Sequence, residues 1–152
     1  MIVLAAPDGG VAVIHPAYDD LVFGVREGRT EADVLADVLA KHVPAGAEYR
    51  VVEETDLPYR GSFRNAWRRC PERGCQLDLD AAKAIKLDQI RRRRQPKLDE
   101  LDRLYRRAVG QGKTDEAAAI EAQRQVLRDL PQTVVLPDDP AALDAYWPPE
   151  VA

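Results

Sequence analysis

Residues 81–109 read AAKAIKLDQIRRRRQPKLDELDRLYRRAV, residues 114–130 read TDEAAAIEAQRQVLRDL, and a GQG sequence at 110–112 separates them. Apolar residues recur in both stretches mostly at spacings of three and four, which gives each stretch one apolar helix face. These faces consist of Leu87, Ile90, Leu98, Leu101, Tyr105 and Ala108 in the first stretch, and of Ala117, Ile120, Leu127 and Leu130 in the second. A short glycine-rich connection joins helices that run antiparallel. The sequence therefore predicts an antiparallel helical hairpin.

The chain before the hairpin has the pattern of a small mixed sheet. Apolar runs at 2–5 and 11–15 flank a Pro-Asp-Gly-Gly sequence at 7–10, which is typical of a tight turn between two strands. A Thr-Glu-Ala-Asp sequence at 30–33 predicts a capped helix start, because the threonine and aspartate side chains can each accept from the other's backbone N–H. Residues 48–53 have the pattern of a third strand.

These elements predict an α+β fold. A small N-terminal β-hairpin or three-stranded unit with one helix is followed by the long antiparallel helical hairpin and by a short C-terminal helix that begins at Asp139 and Pro140. The predicted boundaries are 1–79 for the small α+β domain, 80–130 for the helical hairpin and 131–152 for the C-terminal tail.

Charge is strongly segregated along the chain, although the formal net charge is only −4. The net charge is −7 over residues 1–59 (4 basic, 11 acidic), +9 over 60–113 (16 basic, 7 acidic) and −6 over 114–152 (2 basic, 8 acidic). This pattern indicates either a nucleic-acid surface or charged parts that meet each other or a neighbouring subunit. No apolar stretch approaches the roughly 20 residues of a bilayer span, so we expect a soluble protein made in the cytoplasm.

Cys70 and Cys75 flank a Pro-Glu-Arg-Gly turn, and three interpretations of the pair are open. They can close a disulfide loop, supply half of a zinc site, or stay as two thiols, which is the usual state in a cytosolic protein. A zinc site requires four ligands, and the only other soft ligands are His15, at a strand end, and His42, at a helix end. We expect no cofactor.

A run of four arginines, residues 91–94, lies within the first predicted helix. Consecutive helical residues point about 100° apart, so at most two of these side chains face any one partner. The run is typical of a solvated helix whose long side chains lie over apolar surface. Phosphate binding is the alternative, although no aromatic residue is interleaved for base stacking.

Motifs of enzyme active sites are absent from the sequence. It has no glycine-rich phosphate loop, no Gly-x-Ser-x-Gly and no His-Glu-x-x-His, and Ser62 is its only serine. We therefore do not expect an enzyme.

Four stretches occur in a characteristic order: GGVAVIHP at 9–16, VPAGAEYRVV at 43–52, FRNAW at 63–67 and LDAAKAI at 79–85. This order resembles small proteins encoded in the tail-gene region of tailed bacteriophages and prophages. The resemblance spans nearly the whole chain.

The C-terminal half also resembles phage tail fibre assembly proteins, through its helical hairpin, a Leu-Pro-x-Thr turn at 130–133 and the sequence Trp-Pro-Pro at 147–149. Those proteins act as chaperones for the fibre, and some remain on the fibre tip in the mature particle. The resemblance implies a location in the virion tail after assembly in the host cytoplasm. The cysteine loop and the four-arginine run depart from the pattern, and no catalytic residue can be transferred.

The predicted function is a structural adaptor of the phage tail, at the baseplate or tail fibre, or a fibre assembly chaperone, acting through protein–protein contacts. The expected partners are other phage tail proteins, with the chain oligomeric in the assembly and no membrane involved. The predicted partner-binding residues are Arg91, Arg92, Arg94, Tyr105 and Trp147. The alternative is a nucleic-acid-binding module that uses the basic segment 60–113.

Overall fold

A computed structural model of the chain describes residues 2–5, 10–15, 28, 30–70, 72 and 74–152. The chain divides into two compact units, Met1–Asp78 and Leu79–Ala152. Each unit has its own cluster of buried apolar residues. The second unit includes both the predicted hairpin and the predicted C-terminal tail.

The first unit contains a three-stranded antiparallel sheet. Its strands, in the order β2-β1-β3, are β1 (Ile2–Ala5), β2 (Val11–Ile14) and β3 (Tyr49–Val51). Ile2 of the central strand pairs with Ile14 on one side and with Val51 on the other. The predicted three-stranded unit is confirmed, while residues 6–9 of the predicted turn lie outside the described residues.

Helix α1 (Glu31–His42) begins where its capping sequence predicts. The hydroxyl of Thr30 accepts from the backbone N–H of Asp33 at 3.2 Å, and the Asp33 carboxylate accepts from the Thr30 N–H at 2.9 Å. The first bond satisfies one of the N–H groups that lack a partner at a helix start. The helix buries Val34 and Val38.

A second, two-stranded sheet follows, of which the sequence alternation at 76–80 indicates only a single short strand. It is an antiparallel ribbon of β4 (Trp67–Cys70) and β5 (Gly74–Leu77). Gly74 has a φ of +85°, a conformation that favours glycine where the chain enters β5. Trp67 and Cys75 are buried together with Val52, and the Trp67 indole N–H donates to the Tyr59 carbonyl at 3.2 Å.

The second unit contains the predicted antiparallel hairpin. It is formed by α2 (Leu79–Gly110) and α3 (Thr114–Thr133). Gly112, with a φ of +70°, lies in the connection where the chain reverses. The buried residues between the helices are Ile90, Ala108, Ala117, Ile120, Leu127 and Leu130. The small side chains of Ala108 and Ala117 let the helices approach closely near the tip.

The C-terminal segment (residues 134–152) packs against the hairpin. It contains the short helix α4 (Pro140–Ala145), whose first turn Asp139 caps by accepting a backbone N–H at 2.8 Å. Leu143 and Val151 are almost completely buried, and Val151 joins the apolar cluster between α2 and α3. The predicted α+β class, with a helical hairpin and a short C-terminal helix, is confirmed.

Replacing Ile90 with Ala should lower the free energy of unfolding of the second unit by about 2–5 kcal/mol, because the truncated side chain leaves a cavity in a well-packed cluster. Val135→Ala is the matched control, since Val135 is 85% exposed, and it should change stability by less than about 0.5 kcal/mol. Urea unfolding followed by far-UV circular dichroism measures both. Equal effects of the two changes would contradict the observed packing.

Candidate functional site

The four-arginine run at 91–94 lies on α2, and its side chains diverge as the 100° step predicts. Arg91 and Arg92 are exposed and both pair with Asp88, at 3.8 and 2.9 Å. Exposed pairs of this kind contribute little to stability, so these two side chains stay accessible. The other two arginines of the run contact the rest of the second unit.

Arg94 replaces a hydrogen bond that a proline removes from α3. Pro131 has no N–H, so the carbonyl of Leu127, four residues earlier, lacks the usual i+4 hydrogen bond of the helix. The Arg94 Nη1 atom donates to that carbonyl at 2.6 Å and to the Arg128 carbonyl at 2.8 Å. This donor comes from α2, and α3 continues through the proline to Thr133, so the turn predicted at 130–133 is part of the helix.

Lys86 and Arg93, seven residues apart on α2, both contact the C-terminal segment. The Lys86 ammonium is fully buried and donates to the Asp144 carbonyl at 2.8 Å, in the last turn of α4, where carbonyls lack helical partners. It also lies 3.9 Å from the centre of the Trp147 ring, and the Arg93 guanidinium lies 4.3 Å from the same centre. Trp147 is therefore held by two cation–π contacts.

Burial sets the protonation behaviour of Lys86. Loss of hydration lowers the pKa of its ammonium below the ordinary lysine value, the Asp144 carboxylate opposes this change, and the nearby positive charge of Arg93 adds to it.

Two further lysines of α2 contact the same segment. Lys97 donates to the carbonyl of Glu150 at 2.8 Å, and Lys83 pairs with the carboxylate of Asp138 at 2.5 Å. Four of the 16 basic residues of segment 60–113 therefore contact the acidic C-terminal segment within the second unit. This arrangement corresponds to the interpretation in which oppositely charged parts of the chain meet each other.

One side of the hairpin, the charged side, carries a network of ion pairs. Arg124 of α3 donates to Asp102 of α2 at 2.6 Å and also to Glu121, which accepts from Arg128 at 2.8 Å. The Arg124 guanidinium lies 4.6 Å from the centre of the Tyr105 ring. The hydrogen bond from Arg128, assisted by Arg124, lowers the pKa of the Glu121 carboxyl.

The other side of the hairpin carries an apolar groove between α2 and α3, with a volume of about 550 Å³. Its lining consists of Pro96, Lys97, Glu100, Leu101, Gln123, Val126, Leu127 and Glu150. Val126 is 53% exposed, which is unusual for an aliphatic side chain in a groove. The groove begins where the C-terminal segment ends, at the contact of Lys97 with Glu150.

A second apolar depression, the tip pocket, lies at the end of the hairpin and has a volume of about 420 Å³. Its lining consists of Tyr105, Val109, Gly112, Lys113, Thr114, Ala117, Ala118 and Glu121. Val109 is 55% exposed there. Glu121 also belongs to the ion-pair network, which places the tip pocket beside the charged side of the hairpin.

Cys70 and Cys75 are free thiols in the β4-β5 ribbon. Cys70 pairs with Gly74, and Cys75 pairs with Arg69. Neighbouring positions of a strand point to opposite faces, so this register directs the two thiols to opposite faces of the ribbon. A disulfide between them requires a local shift of the ladder.

No group of three or more His, Cys, Asp or Glu side chains within the described ranges is arranged to hold a metal ion. His15 follows β2 and His42 ends α1, and both are exposed. Among the described residues, no helix is both long and apolar enough to cross a membrane.

The chain matches no protein-family model, no curated protein and no solved structure. The resemblance to phage tail proteins therefore stays a prediction from the sequence.

The predicted partner-binding residues occupy three kinds of position. Arg91 and Arg92 are exposed, Tyr105 is half-buried under Arg124 and lines the tip pocket, and Arg94 and Trp147 make contacts within the second unit. The apolar groove and the lysine contacts were not predicted. The i, i+7, i+11 spacing of positions 86, 93 and 97 was the available signal for a cationic helix face.

Removing the Arg94 side chain should destabilise the second unit by about 1.5–3 kcal/mol, because the Leu127 carbonyl loses its charged donor. In a Pro131→Ala background the loss should fall below about 1 kcal/mol, since the new N–H at position 131 can donate to that carbonyl. Chemical unfolding of the four proteins in this double-mutant cycle measures the coupling. Arg92→Ala is the exposed control. Additive effects of the Arg94 and Pro131 substitutions would show that Arg94 does not replace the hydrogen bond that Pro131 removes.

Cys75 should react with iodoacetamide at least ~10-fold more slowly than Cys70 in the folded protein. Burial raises the pKa of the Cys75 thiol, and the neighbouring Cys70 raises it further, so less thiolate is present at a given pH. Cys70→Ser and Cys75→Ser each leave one thiol for the measurement, and unfolding in urea should make the two rates similar. Equal rates in the folded state would show that Cys75 is not protected.

Proposed function

We propose that this chain is a phage tail assembly protein, either an adaptor of the baseplate or tail fibre or a fibre assembly chaperone, which acts through protein–protein contacts. The observation that carries the proposal is the exposed apolar tip pocket at the end of a hairpin whose base is fastened by its own C-terminal segment. A rigid projection with an apolar end is suited to holding a partner chain.

The surroundings of the tip pocket indicate the chemistry of its partner. The lining is mostly apolar, with Val109 and Ala118 in solvent. Arg106, one helical turn before Val109, is exposed, and Lys113 lies at the rim, where it pairs with Glu116 at 3.1 Å. An apolar side chain of a tail protein therefore fits this pocket best.

The proposed partner surface includes some of the residues that the sequence predicts to bind a partner. Tyr105 lines the pocket, and Arg91 and Arg92 remain accessible further along α2. Nucleic-acid binding is the alternative, and the contacts of the arginine run do not favour it. Arg93 lies against Trp147 and Arg94 donates to α3, whereas Arg91 and Arg92 pair with Asp88 on their own helix.

Co-expression of the tagged chain with the fibre and baseplate proteins encoded beside it tests the proposal. We expect one of these proteins to co-purify with the wild-type chain, and Val109→Asp to reduce its recovery at least ~10-fold, because an aspartate would place an unpaired charge at an apolar contact. Mass spectrometry of purified virions then establishes whether the chain stays in the particle and in what copy number.

Val135→Asp is the matched control for Val109→Asp, because Val135 is an exposed valine outside the tip pocket. It should leave co-purification unchanged. A wild-type chain that binds no tail protein would contradict the proposed function. Equal recovery with Val109→Asp and Val135→Asp would exclude the tip pocket as the contact.

A further inference from the structure

The C-terminal segment covers an apolar face at the base of the hairpin. Trp147 and Val151 of the segment pack in the same cluster as Ile90 of α2 and Leu127 of α3. Ile90 and Val151 are almost completely buried, so this face meets the segment instead of solvent. The face continues into the apolar groove, because Leu127 belongs to both. The segment therefore covers one end of a longer apolar surface.

The C-terminal segment has little regular structure of its own. Its helix α4 has six residues, fewer than the roughly 12–15 that an isolated helix needs to be even marginally stable in water. Prolines at positions 137, 140, 148 and 149 also remove backbone N–H donors from the segment. Its conformation therefore depends on the contacts that it makes with the rest of the second unit.

The two long helices are held together by contacts in which the C-terminal segment takes no part. Arg94 of α2 donates to two carbonyls of α3, and Arg124 of α3 donates to Asp102 of α2 at 2.6 Å. Near the tip, a separate buried cluster joins Ala108 of α2 to Ala117 of α3. These contacts can keep the hairpin folded when the segment leaves it.

The contacts of the segment define the chemistry that fits the face beneath it. Lys86 and Lys97 donate to backbone carbonyls, and Trp147 contacts the cations of Lys86 and Arg93. An ammonium has three N–H donors, and the Asp144 carbonyl is the only hydrogen-bond acceptor of Lys86 among the described residues. The face therefore suits a chain that places an aromatic ring beside carbonyls without helical partners, followed by an aliphatic residue.

We propose that the C-terminal segment is an autoinhibitory strap, which opens from a folded hairpin and yields the face beneath it to a partner segment of the same chemistry. Because the segment is joined to α3, its effective concentration at the face is on the order of millimolar. A separate chain therefore binds there only when the segment opens or is weakened. The inference goes beyond the proposed function and does not rest on it, since the tip pocket shares no lining residue with the covered cluster.

A fluorescent peptide with the sequence of residues 134–152 tests the proposal, and anisotropy measures its binding to the full chain. The peptide should bind the Trp147→Ala chain at least ~10-fold more tightly than the wild-type chain, because the weakened segment of that variant competes less for the face. Val135→Ala is the matched control, since Val135 is an exposed residue of the same segment. It should bind the peptide like the wild type.

The cations of α2 test whether the peptide occupies the face that the segment leaves. Adding Arg93→Met and Lys97→Met to the Trp147→Ala chain should weaken peptide binding at least ~10-fold, because the peptide loses a cation–π contact and a hydrogen-bond donor. Adding Arg91→Met and Arg92→Met instead should not change binding, since these arginines pair with Asp88.

Hydrogen exchange of the wild-type chain tests the opening without any variant. Amides of residues 140–151 should exchange through a local opening whose free energy hardly changes in low urea. The opening free energy of residues 114–127 should fall with urea, because their exchange requires unfolding of the hairpin, which exposes much more surface.

Equal affinity of the peptide for the wild-type and Trp147→Ala chains would overturn the proposal. A Trp147→Ala chain that loses its helical circular dichroism would also overturn it, because the hairpin would then depend on the segment. A shared urea dependence of residues 140–151 and 114–127 would have the same meaning. Val109→Asp should leave peptide binding unchanged, so failure of the tip pocket as a tail-protein contact is measured separately.

Discussion

The second unit depends on the cations of α2 that bind backbone carbonyls elsewhere in the unit. Lys86 and Lys97 donate to carbonyls of the C-terminal segment, and Arg94 donates to the carbonyl that Pro131 leaves without a helical donor. The Asp144 and Leu127 carbonyls lie at a helix end and at a helix break, where partners are missing, and the Glu150 carbonyl lies in the turn at 149–151. The cations therefore fasten the base of the hairpin, and the exposed apolar surfaces lie beyond that base, between the helices and at the tip.

Elements with a regular local pattern were predictable from the sequence. The apolar spacing of both long helices, the Thr30 capping sequence and the glycine-rich connection all act over a few residues, so the hairpin and α1 follow from them. Strand β4 was not predictable, because exposed Arg69 lies on the same face as Trp67 and interrupts its apolar alternation. Pro131 indicates a helix end, whereas α3 continues to Thr133, and the donor to the Leu127 carbonyl comes from Arg94, far away in the sequence.

Sequence patterns identified the arginine run but not the separate contacts of its members. Lys86, Arg94 and Lys97 donate to backbone carbonyls, which every residue has. The sequence therefore does not show which residues accept these bonds. The apolar groove is equally hidden, because it arises from the register of α2 against α3 and from where the C-terminal segment ends. The positions of Arg91, Arg92 and Tyr105 leave their predicted partner role open to experiment.

Hydrogen exchange of the C-terminal segment tests most directly whether the cations of α2 fasten it. In an Arg93→Met/Lys97→Met variant, Trp147 and the Glu150 carbonyl each lose a cationic contact, so amides in residues 140–151 should exchange about tenfold faster while those of 114–127 do not change. The Arg91→Met/Arg92→Met variant is the control, because these two arginines of the wild type pair only with Asp88 among the described residues. Its amides should exchange like those of the wild type. Equal exchange rates of residues 140–151 in the two variants would contradict the claim that the cations of α2 hold the C-terminal segment in place.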